Sequence, residues 1–351
     1  MAKIVSIFLS FFIIIGCNSN NIEEEDNFEP TIKLFSIKDD INADSQSEGE
    51  YFYSYDKNGY ITKIIFNGDN NQSLTYIYSY TSNYLLSKVE IDFNSDKTID
   101  SIYSYSYYPS NLIKRIEYDL NGDNQIEYIE EYEYDNQGRV VSYITKGENQ
   151  LTTSSIKSEI SSKYYCDGVI CLDYLIYPKD SFEPKTFFKK SASIIGDSTL
   201  IERIEVEYKY IYEEDKLKEI LVDYGIDSEV DAIYRYYYEN SQLTKIGYDY
   251  DSNGKDDYIY NYKYEDDKVV TLEIDYNQDG LIDRAYYYKY SNNLLKEILV
   301  DYEGDNAIDT TTIYEYNDSR VSTINIDYNS DKEIDRKIEY KWLKFSNGEF
   351  F

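Results

Sequence analysis

The 351-residue chain has no histidine, one methionine, one tryptophan, four prolines and three cysteines. The missing histidine removes the most chemistry. Ser-His-Asp and Cys-His catalytic arrangements, zincin motifs and imidazole-ligated transition metals are all excluded. A catalytic thiol has no base to activate it. No Gly-rich phosphate loop is present, and no stretch combines a 3.6-residue period with caps, so almost no helix is expected in the mature chain. Basic residues are scarce as well: 35 Lys and Arg stand against 67 Asp and Glu, a net charge of −32. Such a field repels nucleic acid and anionic membrane surfaces. The apolar run from Ile4 to Ile15 falls short of the ~20 residues that a membrane-spanning helix needs.

That run has instead the length and flanks of a secretory signal over residues 1–16. Ile14-Ile15-Gly16-Cys17 resembles the bacterial lipobox, which implies cleavage before Cys17, a covalent lipid on its sulfur and an outer-membrane anchor. Residues 17–34 are polar and acidic and read as a disordered tether. The acids Glu23, Glu24, Glu25 and Asp26 resemble the surface-export signal of Bacteroidota lipoproteins, which implies display at the cell surface. Of the two remaining cysteines, Cys166 and Cys171 flank Asp167-Gly168. A tight turn there could bring the sulfurs together as a disulfide in an oxidising compartment, and two free buried thiols are the alternative.

What the chain has in abundance is repetition. An Asp marker falls at 92, 119, 223, 249, 275, 301 and 327, with the last five 26 residues apart, and Asp197 keeps the phase. About eleven units fill roughly residues 40 to 342. Regular β-repeats are expected over 35–144 and 201–351, with degenerate repeats over 145–200. Three and one residues before each marker lie apolar or aromatic side chains, such as Ile298 and Val300. Eleven, thirteen and fifteen residues after it lie tyrosines such as Tyr286, Tyr288 and Tyr290. Over eight units only Glu130, Thr312, Ile338 and Trp342 depart from tyrosine at these places. Period two in aromatic and β-branched residues means strands with one aromatic face. Cross-strand ladders of tyrosine, worth ~0.2–1 kcal/mol per pair, account for that face without a ligand. An aromatic platform that stacks sugars is the functional alternative.

Tyr132-Glu133-Tyr134-Asp135 with Gly138, and Tyr53-Ser54-Tyr55-Asp56 with Gly59, resemble the YD repeats of Rhs-type proteins. The resemblance implies antiparallel hairpins winding into a curled sheet. The expected fold is therefore all-β, a curled antiparallel sheet or β-solenoid shell, with a propeller built from paired repeats as the alternative.

The acidic stretches carry the chemistry. Asp275, Asn277, Asp279, Gly280 and Asp283 form D-x-N-x-D-G-x-x-D, which resembles the calcium loops of FG-GAP and VCBS repeats. Ca²⁺ takes 6–8 oxygen ligands, and alternate residues of a tight loop can present several carboxylates to one ion. An EF-hand is excluded, because Tyr286 stands where its twelfth-position Glu belongs. The same places hold Asp92, Asn94, Asp96 and Asp100; Asp119, Asn121, Asp123 and Glu127; Asp301, Glu303, Asp305 and Asp309; and Asp327, Asn329, Asp331 and Asp335. The loops at 223 and 249 are poorer, with Gly225 and Asn253 in ligand places. The plainer reading is that Asp, Asn and Gly are good turn formers.

Together these features point to a non-enzymatic surface lipoprotein, a calcium-stiffened β-repeat that binds protein or glycan outside the cell. A polysaccharide-active enzyme using paired carboxylates is the alternative. An outer-membrane barrel is suggested by the Tyr-rich alternation and the terminal Glu349-Phe350-Phe351. A lipobox and an acidic loop on each hairpin fit that reading poorly.

Overall fold

The computed structural model describes residues 31–69, 72–151, 191–194, 200–346 and 349–351; Cys17, Cys166 and Cys171 lie outside them. Among the described residues there are 22 strands and no helix. The first nine are β1 (Thr31–Asp40), β2 (Gly49–Tyr55), β3 (Ile61–Gly68), β4 (Ser73–Tyr80), β5 (Leu86–Asp92), β6 (Ser101–Tyr107), β7 (Ile113–Asp119), β8 (Tyr128–Tyr134) and β9 (Val140–Leu151). Next come β10 (Ser191–Ile194), β11 (Leu200–Glu213), β12 (Lys216–Tyr224), β13 (Ala232–Glu239), β14 (Gln242–Asp249), β15 (Tyr258–Glu265) and β16 (Lys268–Asp275). The last are β17 (Arg284–Ser291), β18 (Leu294–Asp301), β19 (Thr310–Asn317), β20 (Arg320–Asp327), β21 (Arg336–Ser346) and β22 (Glu349–Phe350).

Each repeat is a hairpin of a Tyr-rich strand and an Ile/Val-rich strand. Toward the C-terminus the two are joined by two-residue turns such as Asn240-Ser241, Asp266-Asp267 and Asn292-Asn293. All six of these residues have positive φ, as type I′ turns require. Toward the N-terminus the turn is longer. The Asp of the Tyr-x-Tyr-Asp motif accepts two backbone N–H groups through one oxygen, from Asn58 and Tyr60 onto Asp56 and from Gln137 and Arg139 onto Asp135. Gly59 and Gly138 take up the left-handed residue of these turns.

Pairing within a hairpin runs to the turn, as in β17 and β18 from Ala285↔Asp301 to Ser291↔Leu294. Pairing between most neighbouring hairpins stops after four residues, as in β16 and β17 from Thr271↔Tyr287 to Ile274↔Arg284, and only β9 with β11 runs longer than five. The turn ends therefore splay apart, and carbonyls there lose their ladder partners. The third tyrosine of the repeat supplies the missing donor. Tyr290 Oη donates to the Val269 carbonyl (3.0 Å), Tyr316 to Leu295 (2.6 Å), Tyr264 to Leu243 (2.8 Å), Tyr107 to Leu86 (2.6 Å) and Tyr55 to Leu34 (2.9 Å). Trp342, which departs from the tyrosine pattern, keeps the function: its Nε1 donates to Val321 (2.8 Å). A donor on a large ring is required there, and phenylalanine would fill the space without bonding. Tyr290→Phe is therefore expected to destabilise by about 1 kcal/mol in urea unfolding, because a sheltered carbonyl loses its partner.

The hairpins pair side by side in sequence order from β1 to β9, then β9 pairs with β11 and the order continues to β21. β21 then pairs antiparallel with β1 over nine residues, from Thr31↔Phe345 to Asp40↔Lys337. The result is a closed, up-and-down barrel of twenty strands, with β10 on the outer end of β11 and β22 on the end of β21. This corrects the expected solenoid and propeller. A solenoid stacks its units in layers and a propeller splits them into blades. Here a single continuous sheet pairs its own two edges and so leaves no ring strand with an open edge. Strands ~4.8 Å apart and tilted ~40° put opposite walls of such a ring roughly 40 Å apart.

The core lies along one face of the sheet. Its largest buried cluster crosses the closure, joining Ile37, Tyr53 and Ile64 to Ile298, Val300, Ile324, Ile326 and Ile338. The opposite face carries exposed ion pairs such as Lys289–Glu297 (2.7 Å) and Lys88–Glu90 (2.7 Å), each worth little on its own.

Candidate metal-binding rim

Because the barrel is up-and-down, the long connections gather on one rim and the tight turns on the other. Eight nine-residue loops stand on the long-connection rim, opening at Asp40, Asp92, Asp119, Asp223, Asp249, Asp275, Asp301 and Asp327. They hold 28 carboxylates and three lysines, a net −25 of the chain's −32. The loop at Asp40 was missed in the sequence, although Asp40, Asn42, Asp44 and Glu48 repeat the pattern 52 residues, two periods, before Asp92.

The eight loops share one hydrogen-bond plan. The opening Asp accepts the N–H of the sixth residue at 2.8–3.0 Å, for example Ser45, Lys97, Gly280 and Asn306. The ninth residue, Asp or Glu, accepts the N–H of the second at 2.6–2.9 Å and returns its own N–H to the carbonyl before the loop. The opening Asp is buried in all eight loops, from the fully buried Asp249 to Asp40, while most of the later acids are exposed. Places four and six are left-handed in all eight loops. Gly280 sits at one of these, as its role at the sharp turn requires. Lys97, Ser228 and Lys332 hold the same conformation with side chains, at a cost of ~1–2 kcal/mol each. The carboxylate bonds hold that strain in place.

Asp301 shows what one such residue does. It is 1% exposed and accepts from the N–H groups of Glu303 (3.3 Å), Gly304 (2.7 Å) and Asn306 (2.8 Å). Asp301→Ala should therefore lower stability by about 2–4 kcal/mol in chemical denaturation, metal or no metal, since several sheltered donors lose their acceptor. Adjacent loops also touch. A Cβ added to Gly304 would collide with the Ile282 carbonyl, and one on Gly122 with that of Ile99. The loops at 275 and 301, and those at 92 and 119, therefore pack against each other.

The acids converge unevenly. Asp119, Asp123 and Glu127 each place a carboxylate oxygen within 4.8 Å of the others; so do Asp40, Asp44 and Glu48, and Asp249, Asp251 and Asp257. The expected loops at 92, 275, 301 and 327 form no such group of three. These four carry Asp at the ninth place, where the converging loops at 40 and 119 carry the longer Glu48 and Glu127. A third-place Asn accepts the N–H of the fifth residue at 2.9–3.0 Å in both kinds, Asn121 as well as Asn94, Asn277 and Asn329. Hydrogen bonds from the Thr98 backbone and hydroxyl hold the Asp96 carboxyl below the usual range.

The loop at 249 differs in kind. Asp256 stands at the place occupied by Ile99, Ile126, Ile282, Ile308 and Ile334 elsewhere. Arg235 binds Asp256 (2.7 Å) and Asp249 (2.8 Å) together, and a Cβ at residue 247 would strike the Asp256 carboxylate, so Gly247 is needed there. Burial pushes the Asp249 carboxyl up, but the Arg235 guanidinium and the Gly254 N–H outweigh it and leave the group below the usual range.

Oxygen-only clusters of this kind suit a hard cation such as Ca²⁺, with Asp, Glu and Asn as ligands. No histidine or cysteine ligand stands among the described residues.

No protein-family model matches the chain, and no curated protein does. Among solved structures it is similar to a crystal structure of TcdB2-TccC3, at 12% identity over 86% of this chain and 17% of that one, with a TM-score of 0.36. A Tc holotoxin pore of Photorhabdus luminescens gives 12%, 86%, 16% and 0.36. A porin-like protein from Bacteroides uniformis gives 8% identity, 89% of this chain, 95% of that one and 0.35. The chain spans about a sixth of the length of the Tc chains it matches. Likenesses at this level assign no activity.

Proposed function

We propose that the protein is a non-enzymatic, lipid-anchored surface protein whose barrel presents a calcium-stiffened acidic rim to a protein or glycan partner outside the cell. The observation that carries this reading is the gathering of eight acidic loops on one rim, away from the point where the chain enters the barrel. β1 begins at the tight-turn rim, where Thr31 pairs with Phe345, so a tether running back to Cys17 leaves from the side opposite the acids. A barrel standing on that tether would turn its charge away from an anionic membrane.

Two features support a barrel in water rather than one that spans the bilayer. Most strands have 7–8 residues, against ~9–11 for a membrane-crossing strand. The charge is also concentrated at one end.

The test has two arms. Cys17→Ser should release the protein from the membrane fraction or leave an uncleaved precursor, and unchanged detergent partitioning would sink the anchor. A screen of glycans and extracellular proteins should give binders that are lost on chelation. Binding that survives both chelation and neutralised rim loops would place the partner elsewhere.

A further inference from the structure

β21 and β1 form a hairpin without a turn. β21 stands in the place of the Tyr strand, with Tyr340 and Trp342 in phase, and only the two-residue β22 follows it among the described residues. β1 stands in the place of the apolar strand, ends on a loop-opening Asp, and is the first strand among the described residues. Together they make the tenth hairpin of the ring, with nine residue pairs and one register shift between Leu34 and Ser36, as the covalent hairpins also show near their turns. In every other hairpin a turn of two to five residues holds the strands together. Here about 300 residues of chain separate them, so no turn tethers β1 to β21 once their pairing breaks. β1 is tied to its other neighbour by only four pairs, Ser36↔Phe52 to Asp39↔Gly49.

Two departures from the repeat fall on this hairpin. The residue before the loop-opening Asp is apolar or Tyr in the other hairpins (Ile91, Tyr118, Val222, Tyr248, Ile274, Val300, Ile326), but in β1 it is Asp39. Arg336 of β21 meets it in a two-pronged ion pair, Nε to Oδ1 at 2.9 Å and Nη2 to Oδ2 at 2.5 Å, with side chains 12% and 20% exposed. At the other end, β22 folds Phe350 against Phe35 (5.1 Å), Phe345 (5.2 Å) and Tyr55 (5.7 Å).

We propose that the barrel opens and closes at this split hairpin, with Arg336–Asp39 as its latch and the Phe350 cluster as a clasp, so that β1 is the strand that leaves. The geometry is that of a charge pair with fork–fork contacts, the arrangement in which one partner's removal leaves the other sheltered and unpaired. Asp39 and Arg336 are chain neighbours of the candidate ligands Asp40 and Asp335, so the test is run both in calcium and in chelator and reads strand opening rather than ion binding.

The experiment is amide hydrogen exchange followed by mass spectrometry on the full chain. In the parent, β1 should exchange faster than β18, its equivalent in a covalent hairpin. Asp39→Asn should raise exchange in β1 and β21 by about tenfold or more and leave β17 and β18 unchanged. The swapped pair Asp39→Arg with Arg336→Asp should recover most of the protection. A disulfide between Lys38→Cys and Glu339→Cys, which face each other in register, should abolish the excess exchange of β1. If β1 and β18 exchange alike in the parent and Asp39→Asn changes neither, or changes both equally, the seam is no gate and the proposal fails.

Discussion

Between pH 10 and 12 the barrel is expected to unfold in one steep transition that coincides with ionisation of its tyrosines. Burial pushes the phenols of Tyr55, Tyr80, Tyr107, Tyr302 and Tyr340 up to about 12, and pushes Tyr53, Tyr143 and Tyr286's neighbour Tyr260 up further. In an unfolded chain the same groups ionise near 10. Below pH 10 both states are protonated, and the folded state keeps the full benefit of burying neutral phenols. As pH climbs past 10 the unfolded chain loses protons that the folded chain retains, so stability falls until the folded values near 12 are passed. Three linked tyrosines would remove about 4 kcal/mol per pH unit, against a total of ~5–15 kcal/mol for a typical domain. Phenolate absorbance and far-ultraviolet circular dichroism recorded on one titration would decide it. Ionisation near pH 10 with the strand signal intact would show that the aromatic face is open to solvent.

The second large effect concerns calcium. A ligand that binds only folded loops stabilises by RT ln(1 + [L]/Kd), about 2.7 kcal/mol per site at a hundredfold excess over Kd. Several sites on one rim should raise the melting temperature clearly, and chelation should reverse it. Binding would also relieve repulsion among the loop carboxylates. Mg²⁺ should substitute badly, because it holds its waters and demands near-octahedral geometry. Asp275→Asn combined with Asp279→Asn keeps turn-forming residues while removing two charged ligands. It should therefore shrink the calcium shift yet cost little in its absence. The loop at 249 should contribute least, because Arg235 already supplies a cation to Asp249 and Asp256. A shift unchanged by the double substitution would place the calcium elsewhere.

Much of this architecture was legible locally. Period-two tyrosines such as Tyr286, Tyr288 and Tyr290 marked strands and a common face, and the 26-residue spacing of Asp275, Asp301 and Asp327 marked the loops. Closure was not legible. Whether a row of hairpins curls into a barrel depends on strand tilt, stagger and number, and on a contact between Asp39 and Arg336 that no local pattern announces. The loop at Asp40 escaped because the unit between it and Asp92 carries Phe66 where the marker belongs. Trp342 looked like a lapse in the repeat until its Nε1 was seen to do the work of a tyrosine hydroxyl. Arg235, Gly247 and Asp256 could not be connected from sequence, since they meet only when β13, β14 and the following loop are folded together.

Counting the bound ions tests the central claim most directly. Equilibrium dialysis or native mass spectrometry of the mature chain, titrated with Ca²⁺ to millimolar concentration, should give several ions per chain and a lower count for the Asp275→Asn, Asp279→Asn variant. A count of zero throughout, with the same melting temperature in calcium and in chelator, would mean that the rim's carboxylates serve only to cap their own loops.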